Sequence, residues 1–141
     1  MINFYSQEID FRLESELIIS NWIKNIISIY NFKCGDLNVI FCSDYFLLDI
    51  NKKYLNHDYF TDIITFNYCT KNKISGDLYI SIDSVSANSV EYNQNFIDEL
   101  NRVIIHGVLH LIGLDDHSDD DILKMRKAEN DALQQLVSND R

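Results

Sequence analysis

The sequence predicts a single α+β domain in which helices pack on a mixed sheet of about four strands. Four observations support this prediction. A chain of 141 residues suits one domain, and apolar segments of helical and strand-like pattern alternate along it. The 46% hydrophobic and 24% charged residues are an ordinary globular composition. No linker, repeat or low-complexity segment divides residues 1–141.

The first half of the chain predicts strand, helix, strand and helix in turn. Residues 2–5 alternate weakly and predict a short strand, and residues 11–30 have the apolar spacing of a helix. The predicted buried face of this helix comprises Leu13, Leu17, Ile18, Trp22, Ile26 and Ile29. Residues 37–42 are β-branched and aromatic, as in a strand. Ser43 is then a suitable N-cap for a helix that runs to about Leu55.

The second half predicts a hairpin followed by helices. Residues 62–68 and 77–82 are strands joined by a turn, which makes a hairpin. A short helix over residues 83–92 precedes a long helix over residues 96–112. Gly113 is placed to end the long helix, because glycine tolerates the left-handed conformation of a C-cap.

A last helix is predicted to begin near Ser118. Ser118 followed by Asp121 fits an N-cap with an acidic first turn. The candidate residues of its inner face are Leu123, Met125, Ala128, Leu133 and Leu136.

The net charge and the cysteines of the chain indicate which binding partners and which cellular compartment to expect. The net charge of −10 weighs against a large basic nucleic-acid surface, but a local patch or a bound cation would still allow an RNA substrate. Cys34, Cys42 and Cys69 are odd in number and form no CxxC pair, which indicates reduced thiols. The N-terminus does not resemble a signal peptide, and the apolar run 103–114 is too short to cross a bilayer. We therefore expect a cytoplasmic protein with no membrane segment.

The stretch HGVLHLIGLDDH, residues 106–117, predicts a metal site on the long helix and the glycine turn after it. His106 and His110 are four residues apart, which places both imidazoles on one helix face. This spacing offers two nitrogen ligands to one tetrahedral ion. After the turn at Gly113, either Asp116 or His117 is in reach as a third ligand. Three protein ligands with one open position are typical of catalytic zinc, so one Zn²⁺ ion is expected.

Two other interpretations fit parts of this stretch. The histidines alone would also suit a core satisfied by hydrogen bonds, but the helix break and the third ligand candidate favour a metal. The metzincin protease pattern HExxHxxGxxH shares the two helical histidines and the glycine. Its catalytic glutamate is Gly107 here, and its last histidine is Asp116. The missing general base argues against a metallopeptidase.

The stretch HGVLHLIGLDDH resembles HGxLHLxGYDH, the signature of the YbeY family of metal-dependent endoribonucleases. Residues 50–66, INKKYLNHDYFTDIITF, resemble the family segment NxxYRxxDxxTDVLSF, and residues 75–81, SGDLYIS, resemble its GDIxIS strand. The matching positions of the second segment are Asn51, Tyr54, Asp58, Thr61, Asp62 and Phe66. Met125 and Glu129 correspond to a similar pair on the family's last helix, so the resemblance covers about residues 37–130.

This resemblance implies an α+β fold with one zinc ion held by three residues at the start of a cleft. It also implies cleavage of single-stranded RNA, in maturation of the 3′ end of small-subunit ribosomal RNA and in ribosome quality control. The expected partners are ribosomal RNA and ribosome or assembly proteins. Because the acidic chain should bind RNA weakly by itself, we expect recruitment through a ribosomal protein or an assembly GTPase.

The chain departs from the family pattern at the third ligand and at one cation. Ungapped spacing makes Asp116 the ligand, whereas a one-residue insertion would give the place to His117. The family's cationic residue after the tyrosine is Leu55 here. A protonated His57 is the candidate to replace it, as are Lys52 and Lys53.

Two further residues are predicted near the reaction. Asp62 would orient a ligand histidine or accept a proton. Arg102, one helical turn before His106, would meet a phosphate or pair with Glu99. A non-catalytic ribosome-assembly factor with structural zinc is the main rival function, and such a site would show four protein ligands.

Overall fold

The computed structural model describes residues 1–139, with side chains described through residue 136. Within that range the chain forms four strands and five helices. The strands are β1 (Ile2–Gln7), β2 (Lys33–Cys42), β3 (Ile63–Asn67) and β4 (Lys73–Ser81). The helices are α1 (Glu16–Ile29), α2 (Asp44–Leu55), α3 (Ile82–Glu91), α4 (Phe96–Ile112) and α5 (Asp119–Asn139). The predicted α+β class is confirmed.

The four strands form one mixed sheet in the order β1-β2-β4-β3. β1 pairs parallel with β2, and β2 pairs parallel with β4. β3 pairs antiparallel with β4, so the predicted hairpin is confirmed. β2 and β4 each begin four residues earlier than predicted, at Lys33 and Lys73, which pair with each other. Backbone hydrogen bonds between the two strands extend them into residues that strand propensity alone does not predict to be strand.

α4 is the central helix of the core and lies directly on the hairpin. Its residues Ile104, Ile105, Val108 and Leu109 are fully buried. A Cβ atom at Gly107 would lie 2.7 Å from Ile63 Cδ1 of β3 and 3.0 Å from a methyl group of Leu78 of β4. The absence of a side chain at this position therefore allows α4 to approach β3 closely.

The predicted inner faces of α1 and α5 are partly wrong. In α1, Leu17, Ile18 and Ile29 are exposed, and the buried residues are Ile19, Trp22, Ile23, Ile26 and Ile27. Both stripes fit helical spacing, and packing against the sheet and α5 selects the second. In α5, Leu123 is exposed, whereas Met125 and Ala128 are buried as predicted. No helix in the described range has the length and apolar character needed to cross a membrane.

Candidate metal centre and active site

The end of α4 brings two histidines and the chain after them to one place. Gly113 adopts φ 124°, and its N–H donates to the carbonyls of Leu109 and His110 at 3.2 and 3.1 Å. The N–H of Leu114 also donates to Leu109 at 3.1 Å, which completes a glycine cap of the Schellman type. The prediction that Gly113 ends α4 is confirmed, and the chain then turns back along the helix end.

Both histidines hold their Nδ1 atoms in hydrogen bonds to acceptors. Nδ1 of His106 lies 2.8 Å from Oε2 of Glu129 on α5, and Nδ1 of His110 lies 3.0 Å from the carbonyl of Leu114. A carboxylate and a carbonyl only accept, so each Nδ1 carries the proton and each Nε2 of the neutral ring keeps its lone pair. The rings are nearly parallel, with an interplanar angle of 6° and centroids 6.4 Å apart. In the neutral form of both rings, the helix thus presents two Nε2 lone pairs one turn apart.

Asp116 faces the first of these nitrogens. Its Oδ2 lies 3.6 Å from Nε2 of His106. A cavity of about 190 Å³ lies beside the three side chains. Its lining includes Thr61, Asp62, Thr65, His106, His110 and Asp116. Four of the six predicted site residues are therefore brought together, because the start of β3 packs against α4.

The other two predicted site residues lie apart from this cavity. His117 is exposed and does not line it. His57 is exposed after α2, where its ring stacks on Tyr59 with centroids 5.1 Å apart. Of the other candidate cations, Lys52 pairs with Asp58 at 3.4 Å.

The donor set fits a small divalent cation. Two ligand atoms each about 2.0–2.2 Å from a tetrahedral zinc ion are about 3.3–3.6 Å apart, close to the observed distance between Asp116 and His106. Within residues 1–139, no three His, Cys, Asp or Glu side chains are yet close enough to hold an ion as they stand. A three-ligand site at these residues therefore requires the side chains to move closer together.

Glu129 contacts the candidate site, although in the sequence only its match to the family's last helix singled it out. It is 5% exposed, and Oε1 accepts from Nη1 of Arg102 at 2.9 Å, while Oε2 faces His106. Arg102 also donates through Nη2 to Asn130 at 2.9 Å. The predicted pairing of Arg102 with Glu99 is wrong, because no ion pair joins them among the described residues and Glu129 takes the guanidinium instead.

The signal for Glu129 was present in the helix pattern. It follows Met125 by four residues on the stripe that also contains Ala128 and Ala132, all of which are buried. A carboxylate on the apolar stripe of a helix requires a partner from another element. Its sequence distance from α4, however, gives no indication of which partner that is.

The pKa shifts follow from these contacts. The hydrogen bond to Glu129 raises the pKa of the His106 imidazole and outweighs burial, which lowers it. Burial raises the pKa of Glu129, but the hydrogen bonds from His106 and Arg102 outweigh it, so the net pKa is lowered. Burial raises the pKa of Asp62, with a smaller opposing effect of His106. His106 and Glu129 therefore form a charge-assisted pair when the imidazole is protonated.

A second, larger cavity of about 350 Å³ adjoins the first. The two share Asp62, Ile63, His106 and Asp116. The larger one extends between α3, α4 and α5, and Arg102 and Arg126 lie along it. The cationic side chains that line this cavity are these two arginines.

A family model described as Endoribonuclease YbeY matches residues 1–137. The chain belongs to the YbeY family. This match confirms the resemblance found in the three sequence segments and extends it to β1 and α1.

Curated YbeY relatives match nearly the whole chain. The protein named Endoribonuclease YbeY from Parabacteroides distasonis is 45% identical over 132 residues, which cover 94% of this chain and 93% of the relative. The protein of the same name from Azobacteroides pseudotrichonymphae is 51% identical over 121 residues, which cover 86% and 87% of the two chains.

One solved structure supports the fold. The solution structure of TM1509 from Thermotoga maritima has a TM-score of 0.66 and 24% identity, and the match covers 99% of this chain and 93% of that one. At this identity the likeness shows a shared fold.

Proposed function

We propose that this protein is a metal-dependent endoribonuclease that cleaves single-stranded RNA in the cytoplasm. Its expected task is maturation of the 3′ end of small-subunit ribosomal RNA, together with ribosome quality control. The observation that carries the proposal is the pair of parallel imidazoles on α4, facing Asp116 and Asp62 in one cavity. Family membership supports it, because the relatives bear the name endoribonuclease.

The proposed ligands are Nε2 of His106, Nε2 of His110 and the carboxylate of Asp116. Imidazole and carboxylate donors suit Zn²⁺, which is the first candidate for the ion. When bound, a divalent ion supplies Lewis-acid stabilisation of phosphate charge and lowers the pKa of water. His117 remains the alternative third ligand, and it would have to enter the site from its exposed position.

The surrounding residues are proposed to hold the reacting groups in place. Glu129 fixes His106 with the Nδ1 proton inward and Nε2 toward the cavity, and Arg102 in turn fixes Glu129. Asp62 lines both cavities, and its raised pKa suits a group that takes a proton from water and returns it to the leaving oxygen. His57 lines neither cavity, so its role in replacing the missing cation stays a prediction.

The first experiment measures cleavage of a single-stranded RNA with and without a chelator, and after zinc is restored. We expect cleavage to be lost with chelator and recovered with zinc. Equal, non-zero rates in all three conditions would show that an ion is not required. A double-stranded RNA of the same sequence is the control for strand specificity.

Variants test the ligand set. His106→Ala, His110→Ala and Asp116→Asn are expected to abolish both zinc uptake and cleavage. Asp115→Asn is the matched control, because Asp115 is the exposed neighbour of Asp116 and carries the same charge. Loss of zinc binding in His117→Asn but not in Asp116→Asn would show that His117, and not Asp116, is the third ligand.

A non-catalytic assembly factor with structural zinc is the second candidate, favoured by the net charge of −10 and by Leu55. It predicts four protein ligands and zinc-dependent folding without RNA cleavage. We also propose recruitment by a ribosomal protein or an assembly GTPase. A dissociation constant for naked RNA in the nanomolar range at physiological salt would contradict that part.

A further inference from the structure

The larger cavity beside the candidate metal centre has the form of a ligand site. Its volume of about 350 Å³ falls in the range of roughly 300–1,000 Å³ that small-molecule sites occupy. It shares Asp62 and His106 with the smaller cavity, so a group bound there lies next to the proposed cleavage position. The inference below rests on the proposed function for the identity of the polymer that enters it.

Glu99 is the unexplained group in this cavity. Its side chain lines the cavity, although the residue is only 6% exposed. Among the described residues it makes no side-chain hydrogen bond and no ion pair, whereas Glu129 in the same cavity contacts both His106 and Arg102. Burial raises the pKa of the Glu99 carboxyl, with a smaller opposing effect of Arg102. Within the described range the carboxylate has no hydrogen-bond partner, so its oxygens are free to accept hydrogen bonds from a group that enters the cavity.

The geometry of a carboxylate restricts that partner. Its two oxygens accept two parallel N–H bonds and donate none. Among the RNA bases, only guanine presents two adjacent donors, N1–H and the N2 amino group, on its Watson–Crick edge. Adenine and cytosine place an acceptor nitrogen beside their amino group, and uracil has one N–H between two carbonyls. Unpaired bases in single strands expose this edge for recognition.

The rest of the cavity suits a nucleotide. Tyr92, Val103 and Met125 give aromatic and apolar surface that would contact the faces of a base. Arg126 also lines this cavity, and its side chain is 61% exposed. Its Nη1 lies 3.6 Å from Oε1 of Glu129, so the other N–H groups of the guanidinium can donate to a phosphate. A base, its phosphate and the metal centre would then lie in one continuous groove.

We propose that the larger cavity is a nucleobase pocket in which the Glu99 carboxylate selects guanine at a position next to the cleaved bond.

The test titrates the full-length protein with GMP, AMP, CMP and UMP, each as the 5′-monophosphate, by NMR or calorimetry. Wild type is expected to bind GMP about ten-fold or more tightly than the others, the order that one bidentate contact provides. Glu99→Gln replaces one acceptor with a donor, which suits adenine and cytosine and opposes guanine. The preference for GMP should disappear in this variant. Glu91→Gln is the matched control, since Glu91 is exposed and lines neither cavity.

A second variant covers the case in which Glu99→Gln does not fold. Ile122→Trp changes a half-exposed residue at the cavity and should weaken GMP binding by filling the pocket. Equal affinity for the four nucleotides, no GMP binding up to the millimolar range, or a GMP preference unchanged in Glu99→Gln overturns the proposal. Unchanged GMP affinity in Ile122→Trp overturns it as well.

Cleavage distinguishes this inference from the proposed function. On a single-stranded RNA with one guanine among uridines, wild type should cut beside the guanine, and Glu99→Gln should lose that selectivity. A GMP preference without any chelator-sensitive cleavage would refute the endoribonuclease and leave the guanine pocket standing. Chelator-sensitive cleavage that does not depend on base identity would support the endoribonuclease and refute the guanine pocket.

Discussion

Replacement of Glu129 by Gln tests the link between α4 and α5. The substitution keeps the size of the side chain but converts one acceptor oxygen into an N–H donor. In the native protein the two oxygens accept from Arg102 at 2.9 Å and from His106 at 2.8 Å. A glutamine can satisfy only one of these donors.

The structure sets the size of the expected loss. A hydrogen bond that involves a charged group contributes about 1.5–3 kcal/mol, and removing one partner of a buried pair costs about 3–5 kcal/mol. Because Glu129 is 5% exposed and glutamine keeps one contact, we expect the free energy of unfolding to fall by about 2–4 kcal/mol. Asp131→Asn is the control, since the pair of Asp131 with Lys127 is exposed to solvent and should contribute little to stability.

The same substitution should weaken metal binding for a different reason. If Oε1 of the new glutamine accepts from Arg102, its amide N–H faces Nδ1 of His106. Nδ1 then becomes the acceptor, and the ring proton moves to Nε2, the proposed ligand atom. Loss of such a supporting partner typically lowers metal affinity about 10- to 100-fold.

Two measurements check this reasoning. Urea unfolding is followed by the fluorescence of Trp22, which is 2% exposed and should report the core. Zinc affinity is measured by competition with a chelating dye. If Glu129→Gln has the unfolding midpoint and zinc affinity of Asp131→Asn, then neither the buried pair nor the tautomer argument holds.

Three further predictions concern the backbone turn, the helix–sheet contact and a buried thiol. Gly113→Ala should destabilise the protein by about 1–2 kcal/mol, because the residue adopts φ 124°; a midpoint equal to wild type in urea would contradict this. Gly107→Val should cost about 1–3 kcal/mol or more by forcing α4 away from Ile63 and Leu78, which a thermal melt would detect; an unchanged melting temperature would count against the tight contact. Burial, with smaller effects of nearby carboxylates, raises the pKa of Cys42 to about 12. Its thiol should therefore resist iodoacetamide at pH 8 in the folded protein and react after unfolding, as mass spectrometry would show; rapid labelling of the native protein would refute its burial.

The sequence predicted those features of the fold that depend on neighbouring residues. The bounds of α2 and α4 and the cap at Gly113 were correct, because helix start and stop signals are local. The hairpin of β3 and β4 was also predicted correctly. The two central strands, β2 and β4, begin earlier than strand propensity indicated. The buried stripe of α1 was partly wrong, because two apolar stripes fit its spacing and only contact with the sheet and α5 distinguishes them.

In the candidate site, too, local spacing predicted some features and packing of the elements decided the others. The helical spacing of His106 and His110 by itself determined that their imidazoles share one face, because that relation follows from 3.6 residues per turn. Which residue after the glycine turn faces them, and that Glu129 on α5 supports His106, depended on how the elements pack. Helical periodicity relates residues only a few positions apart. The contacts of Glu129 with His106 and Arg102 join residues 23 and 27 positions apart, and they form only when α4 and α5 pack together in the tertiary structure.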